Sequence, residues 1–317
     1  MMKQTFLFAA LAVFSSLFFC GCGDASGEKT KIGISIPAAD HGWTGGCVYW
    51  ANQAKKSIEK AHPDLEVIVS TARDAAEQVD KVENLMVQGI KALVILPHEP
   101  GPLTGVCEQA RAKEIKLITV DRGLSKDIAD VVVAGDNPGF GRAGAAAIAR
   151  ALNGKGDIVM MEGIPCVVNS DRVNAFRAEI AKYPDIRILD SQSAGWDTAK
   201  GLKLMENFLQ KYPKIDAVWT GDDDVLLGAL KAYEESKRRD VKAFVGGAGA
   251  KLVVKMVLDR HPLVPFDVTY PPRMVEVGAQ MALKLLAQEI TPKKQIVPAE
   301  IIDPANAQKY YFPDSVF

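Results

Sequence analysis

From Lys31 onward, short and nearly continuous apolar runs alternate with longer segments whose apolar positions recur at helical spacing. KIGISIP, LEVIVST, ALVILP, KLITVD and VVVAGD are rich in β-branched residues, as suits strands of a parallel sheet covered on both faces. Between most of them, residues 45–61, 75–88 and 103–113 carry the pattern of amphipathic helices. After Asp136 the alternation starts again. DIVMME, IRILDS, AVWTGD, KAFVGG and DVTYP read as strands, separated by helices over 171–182, 198–210, 225–237 and 251–258. A last helix over 273–288 precedes AEIID and the tail YYFPDSVF. Two rounds of strand and helix predict an α/β fold of two doubly wound, Rossmann-like lobes, each with a parallel sheet.

The first twenty-two residues follow a different rule. MMKQTFLFAALAVFSSLFFCGC has one basic residue, Lys3, then an apolar stretch too short to span a bilayer comfortably, then small residues. This is the layout of an export signal. Gly21 before Cys22 resembles a bacterial lipobox, although Phe19 and Cys20 depart from its preferred residues, so lipidation at Cys22 is expected, with ordinary secretion as the alternative. A lipid on Cys22 would tether the chain without a spanning helix. DASGEKT then reads as a polar linker, giving a signal over 1–22 and a linker over 23–30.

Composition narrows the function without naming it. At 317 residues, 48% hydrophobic and 24% charged, the chain is an ordinary globular protein long enough for two domains. A net charge of −1 gives no electrostatic case for nucleic acid or an anionic membrane as partner. Cys47, Cys107 and Cys166 are odd in number and lack C-x-x-C spacing, which argues against a disulfide framework or a zinc site. The four histidines do not form H-E-x-x-H, no G-x-S-x-G elbow is present, and no nucleophile has a matched base. No metal and no enzyme activity are expected.

One motif invites a cofactor. Gly139, Gly141 and Gly144 fall in G-x-G-x-x-G spacing after a strand, with Glu162 about twenty residues on. In a dinucleotide fold, however, the first glycine follows the strand directly. Here Asp136-Asn137-Pro138 intervenes, with Asn137 read as the helix cap and Pro138 as its first residue, which puts the glycines inside the helix as packing positions. No cofactor is expected. Asp222, Asp223 and Asp224 are consecutive, unlike a calcium loop, and GGAGAK lacks the length and hydroxyl of a phosphate loop.

Ligands of open parallel sheets bind beyond the carboxyl ends of the strands. The residues there include His41, Trp43, Asp121, Arg122, Asp136, Asn137, Trp196, Asp222, Ala248 and Tyr270. Carboxylates, guanidinium groups and aromatic faces in that mixture suit a polyhydroxylated ligand, whose hydroxyls pair with planar polar groups while its C–H patches lie on rings.

ENLMVQGIKALVILP, KLITVDRG, AGDN, MEGIP with SDRVNAF, and KYPDIRILDSQSAGWDTAKGLKLMENFLQKYPKIDAVWTGDDDVLLGAL occur in an order that resembles the type I periplasmic sugar-binding proteins, the ribose-, galactose- and allose-type receptors of ABC importers. The resemblance implies two lobes joined by a three-crossing hinge, one formed by 31–135 with 271–289 and the other by 136–270 with 290–317. It implies a monosaccharide clamped between them and delivered to a permease in the cytoplasmic membrane, by a monomer. Matched by position, His41 and Trp43 flank the sugar, Asp121 and Arg122 follow the fourth strand, Arg172 opens a helix, and Trp196 is the aromatic of the second lobe. Asp136 and Asn137 fall on the first hinge crossing. Three positions depart from the ribose-type pattern: Asp222 replaces Asn, Ala248 replaces Asp, and Tyr270 replaces Gln. These changes leave a pentose, a hexose or a polyol open as ligand. A sensor that presents its closed form to a chemoreceptor or histidine kinase is the alternative to an importer.

Overall fold

The structure, a computed structural model, describes residues 29–39 and 42–317. The expected export signal, Cys22, Asp40 and His41 lie outside the described residues. The chain runs β1 (Thr30–Pro37), α1 (Gly42–Ala61), β2 (Leu65–Ala72), α2 (Ala75–Val87), β3 (Ile90–Ile95), α3 (Pro100–Ala112), β4 (Lys116–Val120) and β5 (Val131–Gly135). The second round is α4 (Asn137–Ala151), β6 (Lys155–Glu162), α5 (Val167–Ile180), β7 (Asp185–Ser193), α6 (Thr198–Lys211), β8 (Ala217–Thr220), α7 (Asp223–Glu235), β9 (Ala243–Val245) and α8 (Lys251–Leu258). It closes with β10 (Asp267–Val268), α9 (Met274–Leu286), β11 (Lys294–Val297), β12 (Ile301–Ile302) and a 3₁₀ turn at Ala307–Lys309.

Six strands form one parallel sheet in the order β11-β5-β4-β3-β1-β2, and four form another in the order β7-β6-β8-β9. Helices cover both faces, so the central strands have no solvent side. Leu117–Val120 of β4, Ile158–Met161 of β6 and all of β8 are buried, which is why they read as unbroken apolar runs. The edge strands β7 and β11 are largely half-exposed and carry the polar residues. The α/β fold of two parallel-sheet lobes is as the alternation predicts.

Two details differ from expectation. DVTYP is a strand for only two residues, pairing antiparallel with β12, because the chain there is leaving one lobe for the other. Residues 294–297, assigned from the sequence to the second lobe, pair with β5 in the first sheet. The last crossing therefore falls after Val297, between β11 and β12, and not near residue 290. The polar, Pro-containing stretch ITPKKQIVP carries too weak a strand signal to place this edge. The three crossings are tied together: Asp136 N donates to the Val297 carbonyl at 3.0 Å and Thr269 N to the Glu300 carbonyl at 2.9 Å.

Two of the three glycines are packing positions, while Gly139 makes room for the Asp136 carboxylate that caps the helix, a Cβ there lying 2.1 Å from Asp136 Oδ2. A Cβ on Gly141 would lie 2.1 Å from the Arg172 carbonyl oxygen, and one on Gly144 would lie 2.4 Å from Trp219 Nε1. They let α4 sit directly on α5 and on the Trp219 indole. The helix cap is Asp136, not Asn137: its carboxylate accepts from Gly139 N at 2.7 Å and helical geometry begins at Asn137. An aspartate one residue earlier caps equally well, and this frees the Asn137 amide for the cleft.

Candidate functional site

Five segments supply the site: the first turn of α1, the turn after β4, the crossing after β5, the second turn of α5, and the crossing after β10. The helix α5 begins at Val167, so Arg172 lies inside it rather than opening it. Their side chains meet around Tyr270. Its hydroxyl donates to Asp121 Oδ1 at 2.5 Å, its ring lies 6.1 Å from that of Trp43, and its carbonyl accepts from Trp43 Nε1 at 2.9 Å. Burial and the Asp121 carboxylate push the phenol's pKa up, so it remains a donor.

Arg172 approaches from the second lobe. Its guanidinium lies 4.3 Å from the Tyr270 ring and 4.2 Å from the Phe140 ring, donates from Nε to Asn137 Oδ1 at 2.9 Å, and donates from Nη1 to the Gly221 carbonyl at 2.8 Å. The residue is 5% exposed and, among the described residues, forms no ion pair. A buried cation is costly without partners. Here two amide oxygens and two aromatic faces take the place of a carboxylate. Trp196 sits 5.9 Å from the guanidinium, its indole laid over Gly163, where a Cβ would come within 2.1 Å of the ring.

The second lobe adds two acidic features. Asp222 caps α7 by accepting from Val225 N at 3.0 Å, and burial pushes its pKa up to about 8. Asp223 is buried beneath it and accepts from Gly247 N at 2.8 Å and Ala250 N at 2.7 Å. The amides of the GGAGAK turn are thus committed to a carboxylate of the same chain, which removes them as a phosphate nest. Asp267 is also fully buried, and neither of its carboxylate oxygens has a hydrogen-bond partner among the described residues; desolvation raises its pKa and that of Asp223, and the Asp267 charge pushes Asp223 up further.

Backbone strain marks the same place. Eight described residues other than glycine have positive φ. Glu114, Asn153, Lys237, Arg260 and Gln288 each stand just past a helix C-terminus, where a left-handed residue ends the helix. The other three are Asp121 at 59°, Trp196 at 56° and Ala248 at 140°. None closes a helix, and all three are positions singled out from the sequence. Strain that no local motif requires is characteristic of functional loops.

Not every expected residue joins the cluster. Arg122 donates to the His98 carbonyl at 3.1 Å and forms no ion pair among the described residues. Ala248 contributes only backbone and a methyl group; Tyr270 N donates to its carbonyl at 3.2 Å. His41 lies outside the described residues. Conversely, Asn137 and Phe140, read from the sequence as hinge and helix, line the cleft and hold Arg172. Their spacing of three on one helix face was the available signal.

Cys47, Cys107 and Cys166 are unpaired. Burial raises the pKa of Cys47 and pushes that of Cys107 up to about 12, so both act as apolar filler. Among the described residues no helix is long and apolar enough to cross a membrane, and no three His, Cys, Asp or Glu residues could hold a metal ion.

Residues 32–290 match the family model described as periplasmic binding protein domain. The chain belongs to the periplasmic binding protein family. A ribose import binding protein of Bacillus subtilis is 33% identical over 210 residues, covering 65% of this chain and 68% of its own. A xylitol-binding protein of Mycolicibacterium smegmatis is 30% identical over 240 residues, covering 74% of this chain and 66% of its own. An ABC transporter periplasmic solute-binding protein from Actinobacillus succinogenes with bound D-allose shares the fold, with a TM-score of 0.79 at 24% identity over 89% of this chain and all of that one.

Proposed function

We propose that this periplasmic binding protein captures a neutral monosaccharide or polyol between its two lobes and presents it to an ABC importer. The observation that carries the reading is the convergence on Tyr270 of Asp121 and Trp43 from one lobe and Arg172 from the other. These groups are the donors, acceptors and ring faces a polyhydroxylated ligand needs. Tyr270 and Arg172 are each 5% exposed, so a ligand enters by parting the lobes and replaces their mutual contacts with contacts to both. It thereby favours the closed form by its differential affinity. Trp196 and Asp222 flank the ligand on the second lobe and Trp43 on the first, and Asp136 and Asn137 absorb the bending.

The relatives support both ends of the ligand range, one being named for ribose and the other for xylitol. Binding and release need no covalent step, so no catalysis and no cofactor enter the account. The protein acts as an exported monomer, held at the membrane through a lipid on Cys22. Labelling with palmitate in the native host tests the anchor: incorporation lost in Cys22→Ser supports it, and no incorporation removes it. Thermal shift with ribose, allose, xylitol, myo-inositol and NAD tests capture. A rise in Tm with a sugar or polyol supports the reading; a rise with NAD alone overturns it.

A further inference from the structure

Residues 312–317 touch both lobes. The 3₁₀ turn at Ala307–Lys309 lies against α8 and β12 pairs with β10, so the segment leaves from the second lobe. Lys251 Nζ, at the start of α8, donates to the carbonyls of Pro313 and Ser315. On either side of these contacts, Phe312 and Phe317 pack on α1 of the first lobe. Phe312 stands edge-on to Trp50 with centroids 5.0 Å apart, and Trp50 is covered on another side by the Arg273 guanidinium at 4.9 Å.

The final residues fit the first turn of α1 closely. Phe317 is 9% exposed and Ser315 is 2% exposed. A Cβ added to Gly42 would lie 3.0 Å from the Phe317 ring, one on Gly45 would lie 3.3 Å from Val316 Cγ2, and one on Gly46 would lie 3.0 Å from Phe317 Cβ and 2.6 Å from Pro272. Glycines at these three positions admit the segment. The same turn carries Trp43, whose indole N–H is held by the Tyr270 carbonyl at 2.9 Å. Trp43 is therefore fixed from the cleft side by the Tyr270 carbonyl, on a helical turn against whose Gly42 and Gly46 Phe317 packs.

We propose that residues 312–317 are an inter-lobe strap, a fourth and noncovalent crossing that positions the Trp43 turn against the second lobe and sets the resting angle of the cleft. The three covalent crossings permit bending. The strap grips α1 through Phe312 and Phe317 and α8 through the two charge-assisted hydrogen bonds of Lys251, so both sets of contacts hold only while α1 and α8 keep their present separation. Opening the cleft widely breaks them, so the strap biases the unliganded protein toward closure. A binding-competent population raised in this way raises apparent affinity by the same factor.

The test compares wild type, the double variant Phe312→Ala/Phe317→Ala, and Lys251→Met. Small-angle X-ray scattering without any ligand reads the lobe angle, and titration with ribose and xylitol reads affinity, this second readout resting on the sugar-capture reading. The expected result is a larger radius of gyration in the double variant and weaker binding by about tenfold, carried by faster release. Lys251→Met shifts both in the same direction by less, and Phe317→Leu restores most of the wild-type behaviour. An unchanged radius of gyration in a folded double variant overturns the strap. Should the double variant fail to fold, an unchanged radius in Lys251→Met overturns it equally. If wild type binds neither ligand while the radius grows as expected, the strap stands and the sugar-capture reading loses its support.

Discussion

Replacing Gly141 by alanine perturbs the site without touching a ligand-facing side chain. The new Cβ would lie 2.1 Å from the Arg172 carbonyl oxygen and 2.8 Å from Phe176 N, both backbone atoms of α5. No flexible side chain can yield there, so α4 and α5 must separate by more than an ångström to reach ordinary contact. Overpacking of this kind costs about 1–3 kcal/mol, partly offset by about 1 kcal/mol of improved helix propensity. The displaced helix carries Arg172, whose guanidinium is fixed by hydrogen bonds at 2.8 and 2.9 Å and by two ring faces. Losing one hydrogen bond to a buried charge is worth roughly 1.5–3 kcal/mol, so ligand affinity should fall by about ten- to a hundredfold. Urea denaturation and ligand titration read the two effects. Gly105→Ala in α3 is the control, since a Cβ there meets nothing within 4 Å. Gly141→Ala with wild-type midpoint and affinity would refute the reasoning.

Gly105→Ala itself should raise stability by up to about 1 kcal/mol, read as a higher urea midpoint with unchanged slope. The pH dependence of stability follows from Asp222, Asp223 and Asp267, whose folded pKa values burial raises above the ordinary carboxylate range. Stability from these groups is full below about pH 4, where the unfolded chain is also protonated, and is lost as pH rises toward the folded values, about 8 for Asp222. The urea midpoint should therefore be higher at pH 5 than at pH 8, and Asp267→Asn, which removes one buried titrating carboxyl and its charge beside Asp223, should narrow that difference. An equal difference in wild type and variant would show that the buried Asp267 carboxyl does not drive it. Finally, restoring the ribose-type pattern with Asp222→Asn, Ala248→Asp and Tyr270→Gln together should shift preference toward ribose in a competition titration. No shift would mean that these three positions do not set specificity.

The alternation of β-branched runs with amphipathic segments made the two sheets legible, because strands buried on both faces leave an unbroken apolar trace. β11 left no such trace. It is an edge strand over KQIV with half its residues exposed, and its place in the first sheet depends on pairing with β5, a contact made far along the sequence. The rule that sites form at strand ends pointed to Trp43, Asp121, Trp196 and Tyr270, while Arg172, inside α5, was suggested only by the resemblance. Their roles toward one another were not legible. That Arg172 would lean on Phe140 and Asn137, and that Tyr270 would reach Asp121, depends on how two lobes face each other. The G-x-G-x-x-G spacing shows the converse: the pattern was real, but its cause was the approach of α4 to α5 and Trp219, not a phosphate.

The central claim is that one polyhydroxylated ligand is held by groups from both lobes at once. The direct measurement is Trp fluorescence titration of wild type, Asp121→Asn and Arg172→Ala with the same panel of pentoses, hexoses, polyols and NAD. The account predicts saturable binding of one sugar or polyol, weakened at least tenfold by either substitution, since each removes the contribution of a different lobe. Saturable binding of NAD with no response to any sugar or polyol would contradict it. So would a sugar whose affinity ignores both changes.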